Sequence, residues 1–264
     1  MRSPTPTPKP LLTRETPYPQ ESGRFPGRPT QGELQSFSPL TTVSNGGVVE
    51  VSGGTFAGAM TVTNTGVLMG RDGTVTGAVT VQSGGEIRPS AFQATGNAVL
   101  RTGDLTLQGG SKYTWEVNSW ATNAGAGDEG NGFDQLQSSG AGAKLNLNSA
   151  SATDRVVIKI TSLNGLTPGQ IANFDAAVGR QWVIADYSNG NTSGGIVGFS
   201  TDKFTLDTSA FANDPNSTRF SISTDAKSNQ LILSFTPVPE PVAPLLAVAA
   251  CVGFVTWLRK RKSG

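Results

Sequence analysis

A chain of 264 residues in which only 36% are hydrophobic and 33 are glycine has too little apolar material and too many turn-formers for a large helical core, so its ordered part is expected to be β-rich. Charged residues make up 15% of the chain, and 20 Lys plus Arg nearly cancel 19 Asp plus Glu, leaving no field that would draw nucleic acid. Histidine is absent and cysteine occurs once, which removes the commonest general base and metal ligand, every nucleophile–His–acid arrangement, and any intrachain disulfide or paired-thiolate zinc site. No catalytic residue, cofactor or metal ligand is therefore assigned, and an enzyme is not expected.

Residues 1–38 are proline-rich, with PTPTPKP at 4–10, and show almost no apolar periodicity; this composition predicts a disordered segment. It also lacks the apolar h-region of a secretory signal, since Leu11-Leu12 is only a pair. The true start and its signal peptide are accordingly expected to lie elsewhere, with insertion directed by the C-terminal segment alone as the alternative.

From about residue 39 the chain repeats itself every 19 residues or so: TVSNGGVV at 42–49, TVTNTGVL at 61–68 and TVQSGGEI at 80–87 fall in register, and GTFAGA at 54–59 recurs as GTVTGA at 73–78. A decayed fourth copy is placed near Gly96, with Leu100 in the Val81 position. Nineteen extended residues would run roughly 60 Å, far beyond a usual strand, so each copy must break into two or three short strands joined by Gly turns, making one coil of a solenoid. Stacked coils put Val43, Val62, Val81 and Leu100 in one interior ladder and Val49, Leu68 and Ile87 in another, with Thr42, Thr61 and Thr80 facing outward; the recurring glycines are expected to supply positive φ at the corners. A β-meander with incidental periodicity is the alternative. The pattern over residues 39–110 resembles the β-strand repeats of autotransporter-type surface proteins, which implies a right-handed parallel β-helix.

Beyond about residue 105 the period fades and longer alternating strands are predicted at 113–117, 144–148, 155–162, 181–187, 220–224 and 231–235, the last two as a closing hairpin. One short helix is predicted, with Thr167 as N-cap, Pro168 in the first turn, Ile171, Phe174 and Val178 on one face and Gly179 as the stop. This region is read as an antiparallel β-rich cap over the open end of the solenoid. Trp115, Trp120 and Trp182 are read as core aromatics rather than sugar-stacking platforms.

Two constellations have formal chemistry. GAGDEG at 125–130 matches GxGxxG, yet no helix follows to receive a phosphate, and it reads as a flexible loop. Asp128, Glu129, Asn131 and Asp134 offer oxygen ligands, but their spacing misses an EF-hand, so a solvated acidic loop is preferred to a calcium site. Asp154, Asp186, Asp202 and Asp207 are the acids that would have to converge for a glycan-cleaving site.

Residues 242–258 form an uncharged apolar run of about 17 residues, or ~26 Å as a helix, with Pro244 in its first turn, Cys251 inside it and Trp257 near its end. Arg259, Lys260, Arg261 and Lys262 follow directly, which places that end in the cytoplasm and everything before it outside. Just upstream stand Pro239, Glu240 and Pro241, in a stretch the prolines hold extended. The order Pro-Glu-Pro, apolar helix, basic cluster resembles the PEP-CTERM sorting signal of exported Gram-negative proteins, many of which also carry autotransporter-type repeats. The resemblance implies recognition at Pro239, Glu240 and Pro241 by an exosortase-type membrane processing enzyme, removal of the tail, and delivery to the cell surface or matrix.

The sequence therefore predicts a mainly β protein: a disordered segment at 1–38, a short right-handed parallel β-helix at 39–104, an antiparallel β-rich cap at 105–236, and a sorting signal with one C-terminal transmembrane helix at 237–264. The function expected is that of a non-enzymatic structural or adhesive envelope protein. Its partners would be the processing enzyme, the membrane and an exopolysaccharide, with no nucleic acid. An extracellular carbohydrate-binding module and, third, a β-helix polysaccharide lyase or hydrolase are the alternatives.

Overall fold

The computed structural model describes residues 40–90, 98–121 and 132–237. The first coil contains β1 (Thr41–Val43), β2 (Val48–Glu50) and β3 (Thr55–Phe56), the second β4 (Met60–Val62), β5 (Val67–Met69) and β6 (Gly73–Val75), and the third β7 (Val79–Val81), β8 (Glu86–Arg88) and β9 (Val99–Thr102). The fourth contains β10 (Leu105–Leu107), β11 (Lys112–Val117) and β12 (Gln135–Ser138). Each strand pairs in parallel with its counterpart one coil away, Thr42 on Thr61 on Thr80 and Val49 on Leu68 on Ile87, as the repeat predicts. Three sheets result, one per face, and the architecture is mainly β and β-helix-like.

Parallel winding does not stop at residue 104. β13 (Leu145–Asn146), β14 (Val156–Asn164), a short β15 (Thr167–Pro168) and β16 (Arg180–Asp186) make the fifth coil, and β17 (Ile196–Val197) with β18 (Phe204–Ala210) begins a sixth. β14 pairs in parallel with both β11 and β18, β12 with β16, and β13 with β17. Among the described residues antiparallel pairing occurs at β15 on the end of β14, at a single bridge between Val117 and Phe133, and in the closing hairpin β19 (Phe220–Thr224) and β20 (Gln230–Phe235), which docks through β20 on β16. The expected hairpin is present, but the antiparallel reading of the rest is corrected. Alternation of apolar and polar residues marks a strand with one solvated face, and the outer faces of this solenoid meet that condition with parallel strands.

The fourth copy also needs a change of register. Val81 pairs with Leu107, 26 residues on instead of 19, while Leu100 lies in the third sheet opposite Gly73. The added length falls between β8 and β9, at a coil corner where solenoids absorb insertions. The helix expected between Thr167 and Gly179 is absent: Pro168 and Thr167 pair with Leu163 and Asn164, and the chain then runs through turns. Asn213 holds those turns, its Oδ1 accepting from the Ile171 amide at 2.8 Å, so a tertiary contact overrides the local helix signal.

The interior is filled by inward-facing ladders. Val62, Val81, Leu68, Ile87, Leu100 and Leu136 are all completely buried. As the coils lengthen, the filling changes from Val and Leu to aromatic rings: Trp115 lies 5.3 Å from Trp182, Trp120 5.1 Å from Trp182 and 4.8 Å from Phe235, and Phe211 5.1 Å from Phe220. Wider coils enclose more volume, and large edge-to-face rings fill it at crystal-like density. The three tryptophans are core residues, as expected, and no aromatic side chain is exposed among the described residues.

Candidate functional site

A group of titratable side chains lies on the outer face of the second sheet and directly beneath it. Because β8, β11, β14 and β18 are in register, their outward residues form rows: Glu86 beside Lys112, and Lys159 beside Asp207. Glu86 accepts a 2.8 Å hydrogen bond from the Thr114 hydroxyl and pairs with Lys112 at 3.6 Å and Arg88 at 3.9 Å. Arg88 also donates from Nε to the Ser90 hydroxyl at 2.9 Å. Charges of both signs alternate along the face, so it presents no single-sign patch to a polyanion or polycation.

Under this face lies Asp134, completely buried. Its Oδ1 accepts from the Ala98 amide at 3.1 Å and its Oδ2 from the Glu116 amide at 3.2 Å, while its carbonyl accepts from Trp115 Nε1 at 2.7 Å. Burial pushes the Asp134 carboxyl well above the usual carboxylate range; the Glu116 charge adds to this, and the two amides and Arg88 only partly offset it. Glu116 is raised as well, by burial first and by Glu86, against the pull of Arg88, Ser90 and Lys159.

Two carboxyls with raised pKa in one neighbourhood are a recognised signature of acid–base catalysis. Here the geometry assigns them another part. Glycoside cleavage needs two carboxyls facing a common substrate, whereas both oxygens of Asp134 hold backbone amides inside the core. Asp134 is instead a tie that fixes the entry to β9, the end of β11 and the entry to β12.

The four acids that would have had to converge lie apart: Asp186 belongs to the third sheet and Asp207 to the second, while Asp202 lies in the short 3-10 turn Thr201–Lys203 and Asp154 in the loop before β14. Among the described residues no group of three or more acidic or thiol side chains is placed to hold a metal ion. Of the acidic-loop residues, Asp134 is the buried tie, and Asp128, Glu129 and Asn131 lie outside the described residues with the GxGxxG match. So do the sorting residues Pro239, Glu240 and Pro241, the apolar run 242–258 with Cys251, the basic cluster Arg259, Lys260, Arg261 and Lys262, and the proline-rich stretch 1–38. Among the described residues no helix is long and apolar enough to cross a membrane.

Nothing in the sequence marked Glu116 or singled out Asp134 as buried, since the coils that bring them together differ in length. A comparison with protein-family models finds no match to this chain, and a comparison with curated proteins finds none either.

Proposed function

We propose that this chain is an exported, non-enzymatic structural or adhesive protein of the cell envelope, sorted by a PEP-CTERM-type signal at its C-terminus. The observation that carries the reading is the order at that end: Pro239-Glu240-Pro241, an apolar run long enough to span a bilayer, then four consecutive basic residues. The β-helix-like body supports it, because a rod of stacked coils gives reach and surface for its length. In this reading the winding is right-handed, in keeping with the strong preference of parallel strand crossovers, and residues 242–258 form the membrane helix. The inner-membrane-anchored precursor is cut by an exosortase-type enzyme and the body is displayed at the surface or in the matrix.

Fusing residues 237–264 to a secreted reporter in an exosortase-competent host tests the signal apart from the body. The intact tail should give a membrane-bound precursor and a shorter released product. The Glu240→Ala tail should accumulate the precursor. Equal processing of the two tails would remove the sorting assignment.

A further inference from the structure

On the outer face of the third sheet four consecutive strands align planar polar side chains: Arg101 opposite Gln137, Gln137 opposite Asp186, and Asp186 opposite Gln230. The row repeats at the inter-strand spacing of about 4.8 Å. Asp186 accepts from the Ser188 amide and from Gln230 Nε2, each at 2.9 Å, and Gln137 Nε2 donates to Gln135 at 2.6 Å, so Gln137, Asp186 and Gln230 are each held in place by a hydrogen bond.

Beside this row the chain turns from the third face to the first, and these corners lengthen along the solenoid. They leave hollows of about 380, 330 and 660 Å³. Neighbouring hollows share Ser139 and then Ser188 in their walls, so the three adjoin one another in a row, a stepped groove from Thr76 to the β19–β20 turn. Its walls are tied: Asn191 Nδ2 donates to the carbonyls of Ala143 and Tyr187 at 2.9 and 2.8 Å, Gly142 N to Asn189 O at 2.8 Å, and Gly194 N to Lys227 O at 2.8 Å. Asp225 locks the far end by accepting amides of Asn229, Gln230 and Lys227 at 2.6, 2.8 and 3.2 Å. A groove whose loops are already fixed loses little entropy when occupied.

We propose that this groove binds an uncharged, hydroxyl-rich linear polymer, a neutral polysaccharide. Its lining balances Arg101 and Lys227 against Asp104, Asp186 and Asp225, which gives a polyanion no net attraction, and it is built from small, polar and charged residues with no aromatic or large aliphatic side chain to hold a lipid. Rows of amide, carboxylate and guanidinium groups match hydroxyls as both donors and acceptors. A peptide strand would need a free sheet edge, and this site lies over a face whose strands are already paired on both sides. Binding through hydrogen bonds alone is weak at each rung, and a polymer gains its hold by engaging several rungs together. The proposal rests on the reading that the body stands outside the cell, where such polymers are met.

Full-length protein in mild detergent, run in native gels cast with a neutral glucan, a neutral galactomannan or a uronic-acid polymer, provides the test. At least one neutral polymer should retard the protein. Retardation should fall at least fivefold in Gln137→Ala/Gln230→Ala and in Gly140→Trp, and should be unchanged in Lys159→Ala on the second face. Gly140 lines the hollow nearest Thr76 and a Cβ there meets no atom within 4 Å, so the backbone accepts a side chain at this point; with folding checked by its melting temperature, that variant decides the matter if the double variant melts early. No retardation by either neutral polymer, retardation by the uronic-acid polymer alone, or undiminished binding by folded Gly140→Trp would overturn the proposal. None of these results depends on export, so the groove and the sorting signal stand or fall separately.

Discussion

At the turn from the first face to the second, successive coils place Gly46, Thr65, Gly84 and Gly110 at φ of 76, 65, 76 and 71°, and the amides of Thr65 and Gly84 donate onward to Gly84 and Gly110 carbonyls at 2.8 and 2.9 Å. Three of the four are glycine, as the left-handed region requires, and Thr65 carries a β-branched side chain there at a cost of about 1–2 kcal/mol. Thr65→Gly should therefore stabilise by about 1 kcal/mol, raising the melting temperature by roughly 2–4 °C. The next residue in each coil is constrained differently. A Cβ at Gly66 would lie 2.2 Å from the Val43 carbonyl oxygen, and one at Gly85 2.4 Å from that of Val62. These glycines are needed for the approach of one coil to the next, and not, as expected from the sequence, for positive φ. Gly66→Ala should cost about 3 kcal/mol in a denaturant melt, since the obstacle is backbone. Ser111 fills the corresponding place in the fourth coil, completely buried, and its hydroxyl has no hydrogen-bond partner. Ser111→Ala should raise stability by about 1 kcal/mol in the same assay.

Among the strands, the tie made by Asp134 joins three strands of two neighbouring coils that differ in length. Asp134→Ala leaves the buried amides of Ala98 and Glu116 without acceptors and should lower stability by about 3 kcal/mol. Its pH dependence has a defined sign. The folded state binds the protons of Asp134 and Glu116 more tightly than the unfolded chain does, so their contribution is fully present below the ordinary carboxylate pKa and is lost as pH rises through the raised folded values. Asp207, Asp214 and Asp225 are shifted the other way, so the comparison that isolates the pair is between variants: Glu116→Gln should lose less melting temperature than the parent between pH 5 and pH 8. The chain was legible residue by residue as far as β8 because the corners up to that point have constant length, and a constant offset is what self-alignment detects. Beyond β8 the offsets grow, as from Leu105 to Leu145 and from Leu145 to Ile196, and the strands continue in parallel with nothing in the local pattern to show it. The Asp134–Glu116 contact and the row from Arg101 to Gln230 depend on those offsets and were invisible for the same reason. The predicted helix failed because its apolar spacing came from turns in which Ile171 is buried and Phe174 packs 4.6 Å from Trp120.

The described body changes character from one end to the other. Its early coils are short, filled with Val and Leu, and joined by tight corners; its later coils are long, filled with Trp and Phe, and closed by a hairpin that turns the last edge antiparallel. Capping one end while leaving regular short coils at the other suits a rod that presents its faces rather than a cleft, and the neutral, hydrogen-bonding groove runs along such a rod. In the proposed function, display outside the cell is what gives this architecture its use. The most direct test is protease shaving of intact cells of the native host, followed by fractionation and mass spectrometry of both ends of the released chain. The account predicts body peptides cleaved from intact cells and a mature C-terminus lying before Arg259, with the uncut precursor found only in membranes. Full-length protein ending at Gly264, soluble in the cytoplasm and protected from the protease until lysis, would contradict it.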